Sequence, residues 1–249
     1  FELDQGAAGE LGPFDNHKVS VGSDTLGTIT VHGHGGSNAA AAIDATASGD
    51  LWDNTFGFST GAGGNSVKAG PSGVGLVQYT LPSLADGVAI NATYASAGEN
   101  NEGSSALGLV YTGIDGLTVS LGTGNDNSTV AVDADYTTMK AEYAFENFPL
   151  TVGVSSSEYD HTTAANDQEV TSFGLTYTVT DDISISYGQD QIENNTDTAD
   201  IEVDGISASY TSGGMTVSAK RVNADNVDGS STGVNNDRSM FKIAASFAF

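Results

Sequence analysis

The chain has 249 residues, of which 32 are acidic and 7 basic, so its formal charge is -25, and it contains no cysteine. So few bases argue against nucleic-acid binding, which depends on clustered Lys and Arg, and the absence of cysteine excludes disulfides, thiolate metal sites and thiol catalysis. A helical membrane protein is also excluded, because no stretch approaches the ~18 apolar residues that a spanning helix needs.

Alternation of apolar and polar residues with period two runs along nearly the whole chain, whereas helical periodicity is almost absent. One face of each segment is aliphatic and aromatic, and the other carries Ser, Thr, Gly and an occasional charge. In chain order, the clearest segments are 88–94, 117–122, 173–179, 183–187 and 241–249. The pattern predicts an all-β protein, and we count 13 strands.

The predicted connections between strands are alternately short and long. Short turns are expected near 23–25, 84–87, 114–116, 146–149, 181–182 and 213–214. Longer acidic loops are expected at 97–103, 124–128, 160–169, 193–200 and 223–238, and one exceptional loop spans 34–74. This alternation is typical of an antiparallel up-and-down transmembrane β-barrel, with its tight turns at one end and its loops at the other, and not of a Greek-key sandwich.

A barrel of this width has a wet interior on its Ser/Thr/Gly face, so its apolar face must contact lipid. Aromatic residues near the strand ends fit the girdles found at membrane interfaces. These are Tyr79, Tyr94, Tyr111, Tyr143, Phe145, Phe148, Tyr187 and Tyr210.

The strand count is odd, whereas closed bacterial barrels have an even number of strands. The order of loops places Phe1 at the outer tip of a strand, and the first residues lack the pattern of a signal peptide, so we expect that processing has removed one or that the chain is a fragment. We therefore expect about three further N-terminal strands, which gives 16 in the complete protein.

Several segments resemble the general porins of the Gram-negative outer membrane, of the α-proteobacterial type. They are 1–5, Val19–Gly22 followed by 26–31, 49–52, and the last strand, which ends at Phe249. The resemblance implies a trimeric, water-filled channel for small hydrophilic solutes and ions, in contact with outer-membrane lipid and lipopolysaccharide. It also implies a single barrel domain over 1–249, with its third loop, 34–74, folded into the pore.

Strand parity indicates which of the few bases face the lumen. The inward set is Lys18, Lys140, Lys220, Arg238 and Lys242. The upstream apolar residues Val130, Val132 and Tyr136 have the opposite phase to Met139, Ala141 and Tyr143, which predicts a bulge or strand start near 137–138. The long loop carries Asp44, Asp50 and Asp53, and we expect these acids to face the bases across a pore constriction with weak cation preference.

The acidic outer loops have a second interpretation. Carboxylates such as Asp197, Asp200, Asp225 and Asp228 could hold Ca²⁺ through hard oxygen ligands. No loop has the EF-hand spacing, so solvated loops are the favoured interpretation. No other cofactor and no catalytic residue is predicted.

Besides the channel, the sequence leaves a second function open, a secreted or surface-anchored acidic β-rich adhesin or structural protein. A lipid-facing barrel would precipitate without detergent, which separates the two. An enzymatic barrel is a third, weaker interpretation, because no nucleophile stands out beside the four histidines.

Overall fold

A computed structural model of the chain describes residues 17–43, 46–49, 51, 72–73, 75–96, 103–129, 132–232 and 236–247. Thirteen strands form one sheet that follows chain order, and two short strands, β3 and β4, form a separate pair. The strands are β1 (His17–Ser23), β2 (Gly27–His34), β3 (Gly36–Ser37), β4 (Ser72–Gly73), β5 (Leu76–Thr80), β6 (Val88–Ala95), β7 (Ser104–Ile114), β8 (Leu117–Thr129), β9 (Val132–Ala144), β10 (Leu150–His161), β11 (Gln168–Thr180), β12 (Ile183–Asn194), β13 (Ile201–Ser212), β14 (Met215–Asp225) and β15 (Arg238–Phe247).

Every neighbouring pair in the sheet is antiparallel, and β1 and β15 are its two edges in the described part of the chain. The predicted all-β meander and its 13 strands are therefore confirmed. The described residues contain one 3-10 turn, Ala164–Asn166, and no helix that is both long and apolar enough to cross a membrane.

The short turns lie at one end of the sheet, as predicted. The β7–β8 turn shows how the sequence closes them, because Gly116 has φ 76°, a conformation that glycine adopts at little cost. At the other end, the predicted loop at 124–128 is wrong, since β8 continues to Thr129. Ser105 reaches across to Asn125, whose Oδ1 accepts from the Ser105 backbone N–H at 3.0 Å and from its hydroxyl at 2.7 Å, so polar residues extend this hairpin.

One face of the sheet, the outer face, carries exposed apolar side chains on every strand of the meander except β14, whose outward apolar residues are half-buried. Val21, for example, is 73% exposed, and Phe241 is 65% exposed. Aromatic residues concentrate at the turn end of this face, where the rings of Phe148 and Tyr177 lie 5.5 Å apart and the Tyr79 hydroxyl donates to the Leu26 carbonyl at 2.7 Å. Among the predicted girdle residues, Tyr94 and Tyr187 lie instead at the edge of the apolar band towards the loops.

The opposite, inner face is polar near the turns but apolar near the loop ends of β11–β14. There, a buried cluster of side chains, each at most 2% exposed, is packed by Met240. We call it the inner cluster, and its members are Leu51, Val170, Ile192, Ile201, Val203, Val222, Ala224 and Val227. The expectation of a uniformly Ser/Thr/Gly inner face is therefore wrong at this end.

The predicted interruption near 137–138 is also wrong. Residues 134–144 of β9 pair without a register shift against β10, and Thr137 and Thr138 lie within that continuous ladder. Tyr136 consequently shares the inner face with Lys140 and is buried against Ala39, Ala40 and Ala106. The change of apolar phase marks a change of the buried face and not a bulge.

Candidate permeation site on the inner face

A segment of the β2–β5 connection lies against the inner face, and we call its described residues, 38–43, 46–49 and 51, the inward segment. It begins with a tight turn in which Asn38 Oδ1 accepts from the backbone N–H groups of Ala40 and Ala41, at 3.0 and 2.8 Å. The Ala39 N–H donates to Thr93 Oγ1 of β6 at 2.9 Å, which ties this turn to the sheet. The predicted inward folding of the 34–74 loop is present in these residues.

Glycines on the inner face make room for this segment. We call them the glycine row, and they are Gly108, Gly122, Gly153, Gly174, Gly188 and Gly205. Four of them, from Gly153 to Gly205, are consecutive register partners across β10–β13. A Cβ on Gly174 would overlap the Ala47 carbonyl, and one on Gly188 would come within 2.5 Å of the Ser48 carbonyl oxygen. The backbone of the inward segment can reach the wall only because these side chains are missing.

A buried carboxylate fixes the middle of the segment. Asp190 of β12 is fully buried, and its two oxygens accept from the hydroxyls of Ser172 at 2.6 Å and Ser48 at 2.8 Å. Ser172 Oγ in turn accepts from the backbone N–H groups of Ala47 and Ser48, at 2.8 and 3.0 Å. Buried charge is costly without hydrogen bonds, so this network ties the segment to β11 and β12.

Leu51 anchors the far end of the inward segment. It is 2% exposed within the inner cluster, and its side chain reaches Gly205 of the glycine row. The segment is therefore held by hydrogen bonds in its middle and by apolar packing at its end.

Three charged side chains line a cavity of about 340 Å³ on the turn side of the inward segment. Lys220 Nζ donates to the Gly49 carbonyl at 3.2 Å. Lys140 Nζ lies 3.7 Å from Glu142 Oε1, with side-chain exposures of 14% and 44%. The hydroxyl residues of the lining include Thr176, Ser186 and Ser207 of the strands. The structure thus brings Lys140 and Lys220 to one cavity and adds Glu142.

The remaining three predicted bases also lie on the inner face, one beside Lys220 and the other two farther from the cavity. Lys242 is the register partner of Lys220, so the two lysines are direct neighbours on β14 and β15. Arg238 pairs with Ala224 near the loop end of β15, and Lys18 pairs with His32 on β1, at the opposite edge of the sheet. Asp44, Asp50 and Asp53 lie outside the described residues, so their part in a constriction stays a prediction.

Sequence reasoning missed Glu142, Asp190 and the glycine row. Each was visible as an inward-phase position: Glu142 lies two residues after Lys140, and Gly174 alternates with Phe173 and Leu175. What parity could not supply is the partner, because the contacts come from a segment distant in sequence.

Two of the four aspartates considered as calcium ligands accept hydrogen bonds from nearby side-chain amides. Asp197 Oδ2 accepts from Asn194 Nδ2 at 2.7 Å, and Asp200 Oδ2 accepts from Gln191 Nε2 at 2.9 Å. In the described part of the chain, no group of three His, Cys, Asp or Glu side chains is arranged to hold a metal ion, and Asp225 and Asp228 complete none. The geometry gives no support to the calcium interpretation.

Comparison with known proteins places this architecture. The sequence model of a family described as Gram-negative porin matches residues 1–202. No curated protein matches the chain.

Solved structures share the fold at low identity. In-vitro folded OmpT, an outer membrane protein of Vibrio cholerae, is 19% identical with a TM-score of 0.64, and the alignment covers 94% of this chain and 79% of that one. A porin refined at 1.8 Å is 17% identical with a TM-score of 0.62, covering 90% and 78%. The anion-selective porin from Comamonas acidovorans is 13% identical with a TM-score of 0.60, covering 88% and 70%.

The family match spans most of the chain, and the meander with an inward segment agrees with it. Together they resolve the choice between a channel and an adhesin. The chain belongs to the Gram-negative porin family of outer-membrane channel proteins.

Proposed function

We propose that this porin is a passive diffusion channel for small hydrophilic solutes and ions, limited by size and weakly selective for cations. The observation that carries the proposal is the contact of Lys220 Nζ with the Gly49 carbonyl, 3.2 Å, one residue before Asp50. It supports the proposal that the paired loop acids, Asp50 and Asp53, act near this base, because Gly49 directly precedes Asp50 in the sequence.

Side-chain charge must decide the sign of selectivity, because the fold does not. A porin described as anion-selective shares this architecture at 13% identity. Here the chain carries a formal charge of -25. The Lys140–Glu142 pair partly cancels its own charge on the inner face, which leaves the loop acids to favour cations.

The test is the reversal potential of the full-length protein in a planar bilayer under a salt gradient. The double variant Asp50→Asn, Asp53→Asn should lower the cation-to-anion permeability ratio by roughly two- to fivefold, since each charge near a permeating ion is worth up to ~1 kcal/mol in water. Lys220→Gln should raise the ratio, because it removes the opposing charge.

A matched control is Asp181→Asn, Asp182→Asn, which removes the same charge from the exposed β11–β12 turn. It should leave the permeability ratio unchanged. If both double variants shift the reversal potential equally, the loop acids do not form the selective constriction.

We further propose that the protein assembles as a homotrimer embedded in lipid and lipopolysaccharide. One OmpT structure from Vibrio cholerae is described as a trimer form, at 20% identity with a TM-score of 0.60. Conductance steps that arrive in groups of three would support the same assembly here, and steps that always arrive singly would contradict it.

A further inference from the structure

Arg221 is the base that the described strands direct to the outer face. Lys18, Lys140, Lys220, Arg238 and Lys242 all share the inner face. Arg221 instead pairs in register with Ile206 on β13 and Phe241 on β15, whose side chains are 53% and 65% exposed among the lipid-facing apolar residues. A lipid-facing Arg costs ~2–4 kcal/mol at the bilayer midplane and about 0–1 near the interface, so its height along the strand matters.

The edge of the apolar band fixes that height. From β8 to β13, the last apolar outward residues towards the loops are register partners two by two, and each successive couple lies two residues closer to the turns, which is consistent with strand tilt. The couples are Leu121 with Met139, Val154 with Phe173, and Tyr187 with Ile206. The same step places the edge on β14 at Ala219, the register partner of Ala208, so Arg221 lies one residue pair beyond it. On β15 the last apolar outward residue is Phe241, the register partner of Arg221, so Arg221 lies at the boundary between the hydrocarbon and the lipid headgroups.

The Arg221 guanidinium is exposed and makes no hydrogen bond or ion pair with any residue that the structure describes. The outward carboxylate on the neighbouring strand, Asp204, accepts from Asn223 Nδ2 at 3.2 Å. Farther towards the loops the outer face is acidic, with Glu202 and Asp225 directly opposite each other. These outer-face carboxylates therefore repel an anionic headgroup, whereas Arg221 attracts it.

We propose that Arg221 binds the phosphate of a lipid in the leaflet at the loop end of the barrel. A guanidinium donates two parallel hydrogen bonds to phosphate oxygens, which matches the chemistry of a lipid headgroup. Phe241 and Ile206 flank the site and contact the acyl chains below it. The proposal depends on the outer-membrane location of the family and not on the ion selectivity proposed above.

The experiment uses quenching of one tryptophan by brominated lipids in phosphatidylcholine vesicles. The reporter is Phe241→Trp in a Trp52→Phe background, because Trp52 is the chain's one tryptophan. Relative quenching by dibrominated phosphatidic acid and dibrominated phosphatidylcholine gives their relative association beside Arg221. The phosphatidic acid preference should be about fivefold, the factor for one basic side chain at a charged membrane surface, and Arg221→Gln should reduce it to about one.

A matched reporter is Leu121→Trp on β8, at the same loop-side edge of the apolar band. The next outer-face residues towards the loops are the uncharged Thr123 and Asn125, so this reporter should show no preference for phosphatidic acid. Ile206→Trp, on the other register partner, replaces the first reporter if Phe241→Trp does not fold. An unchanged preference in Arg221→Gln would overturn the proposal, as would equal preferences at both edges. Protection of the reporter from both lipids would also overturn it, since a neighbouring copy would then cover Arg221. Channel conductance in Arg221→Gln should be unchanged, so this test and the selectivity test fail separately.

Discussion

Two of the three isoleucines of strand β12 lie in opposite environments. Ile185, in the half nearer the turns, lies on the outer face and is 41% exposed, whereas Ile192, in the half nearer the loops, lies on the inner face and is completely buried. The same inversion occurs along β11, β13 and β14, where Val170, Ile201, Val203 and Val222 are buried inside the sheet and carboxylates such as Glu169 and Glu202 take the outer face.

The inversion reflects what lies on each side of the sheet. Near the turns the outside is lipid and the inside is the polar lumen, so apolar residues point outward. Near the loops the outside is the headgroup region and water, while the inside is covered by Leu51 of the inward segment and Val227 of the β14–β15 loop. These upper strands therefore pack like one layer of a soluble protein.

The largest expected contrast comes from truncating each isoleucine. Ile192→Ala should lower the free energy of unfolding by about 2–5 kcal/mol, because it leaves a cavity inside the inner cluster. Ile185→Ala should cost about 2 kcal/mol, at the low end of that range, since lipid chains fill the space that it vacates and only the transfer term of ~0.8 kcal/mol per carbon remains. Urea unfolding in lipid vesicles, followed by fluorescence, measures both. Equal losses would show that the two halves do not differ in packing.

Lysine substitutions on the outer face of β12 should reveal where the hydrocarbon ends. Ile185→Lys should destabilise the barrel by ~2–4 kcal/mol, whereas Gln189→Lys, beyond the last apolar outward residue of this strand, should cost about 0–1 kcal/mol. Refolding yield and unfolding free energy in vesicles are the measurements. A costly Gln189→Lys would move the edge of the band towards the loops and place Arg221 inside it.

The smallest expected effect tests the wall beneath the inward segment. Gly174→Ala should cost about 1–3 kcal/mol and alter single-channel conductance, because its Cβ overlaps the Ala47 carbonyl and must displace the segment. Gly153→Ala is the matched control, since its Cβ would lie 3.3 Å from Ala47 Cβ, which a slight shift can accommodate. Identical conductance in Gly174→Ala and the unsubstituted protein would mean that the segment does not narrow the pore.

The sequence alone predicted most of the membrane half. Period-two alternation gave the strands, the turns and the outward direction of residues such as Ile183 and Ile185, because lipid imposes a simple rule on one face. It failed where a second partner replaces the lumen. The change of phase between Tyr136 and Met139 was interpreted as a bulge, although the same change recurs between Ile192 and Tyr187 without a break in register.

The candidate site was predictable in part for the same reason. Parity placed Lys140 and Lys220 on the inner face, and it assigns Asp190 there too, but it does not indicate what Asp190 binds. Its role depends on Ser48, more than a hundred residues away in sequence, and no local pattern carries that information. On four adjacent strands, β11–β14, the apolar residues switch from the outer to the inner face at matching heights. That shared switch is the sequence signal that would have revealed the inner cluster.

The glycine row has a consequence for how this pore can diversify. Gly108, Gly174 and Gly188 lie nearest to the main-chain carbonyl oxygens of Ala39, Ala47 and Ser48. Positions such as 39 and 47 can therefore exchange one small residue for another without changing the path of the segment, while most substitutions in the wall beneath would change it. Variation in what the channel admits should accumulate on the segment, above a wall whose glycines stay fixed.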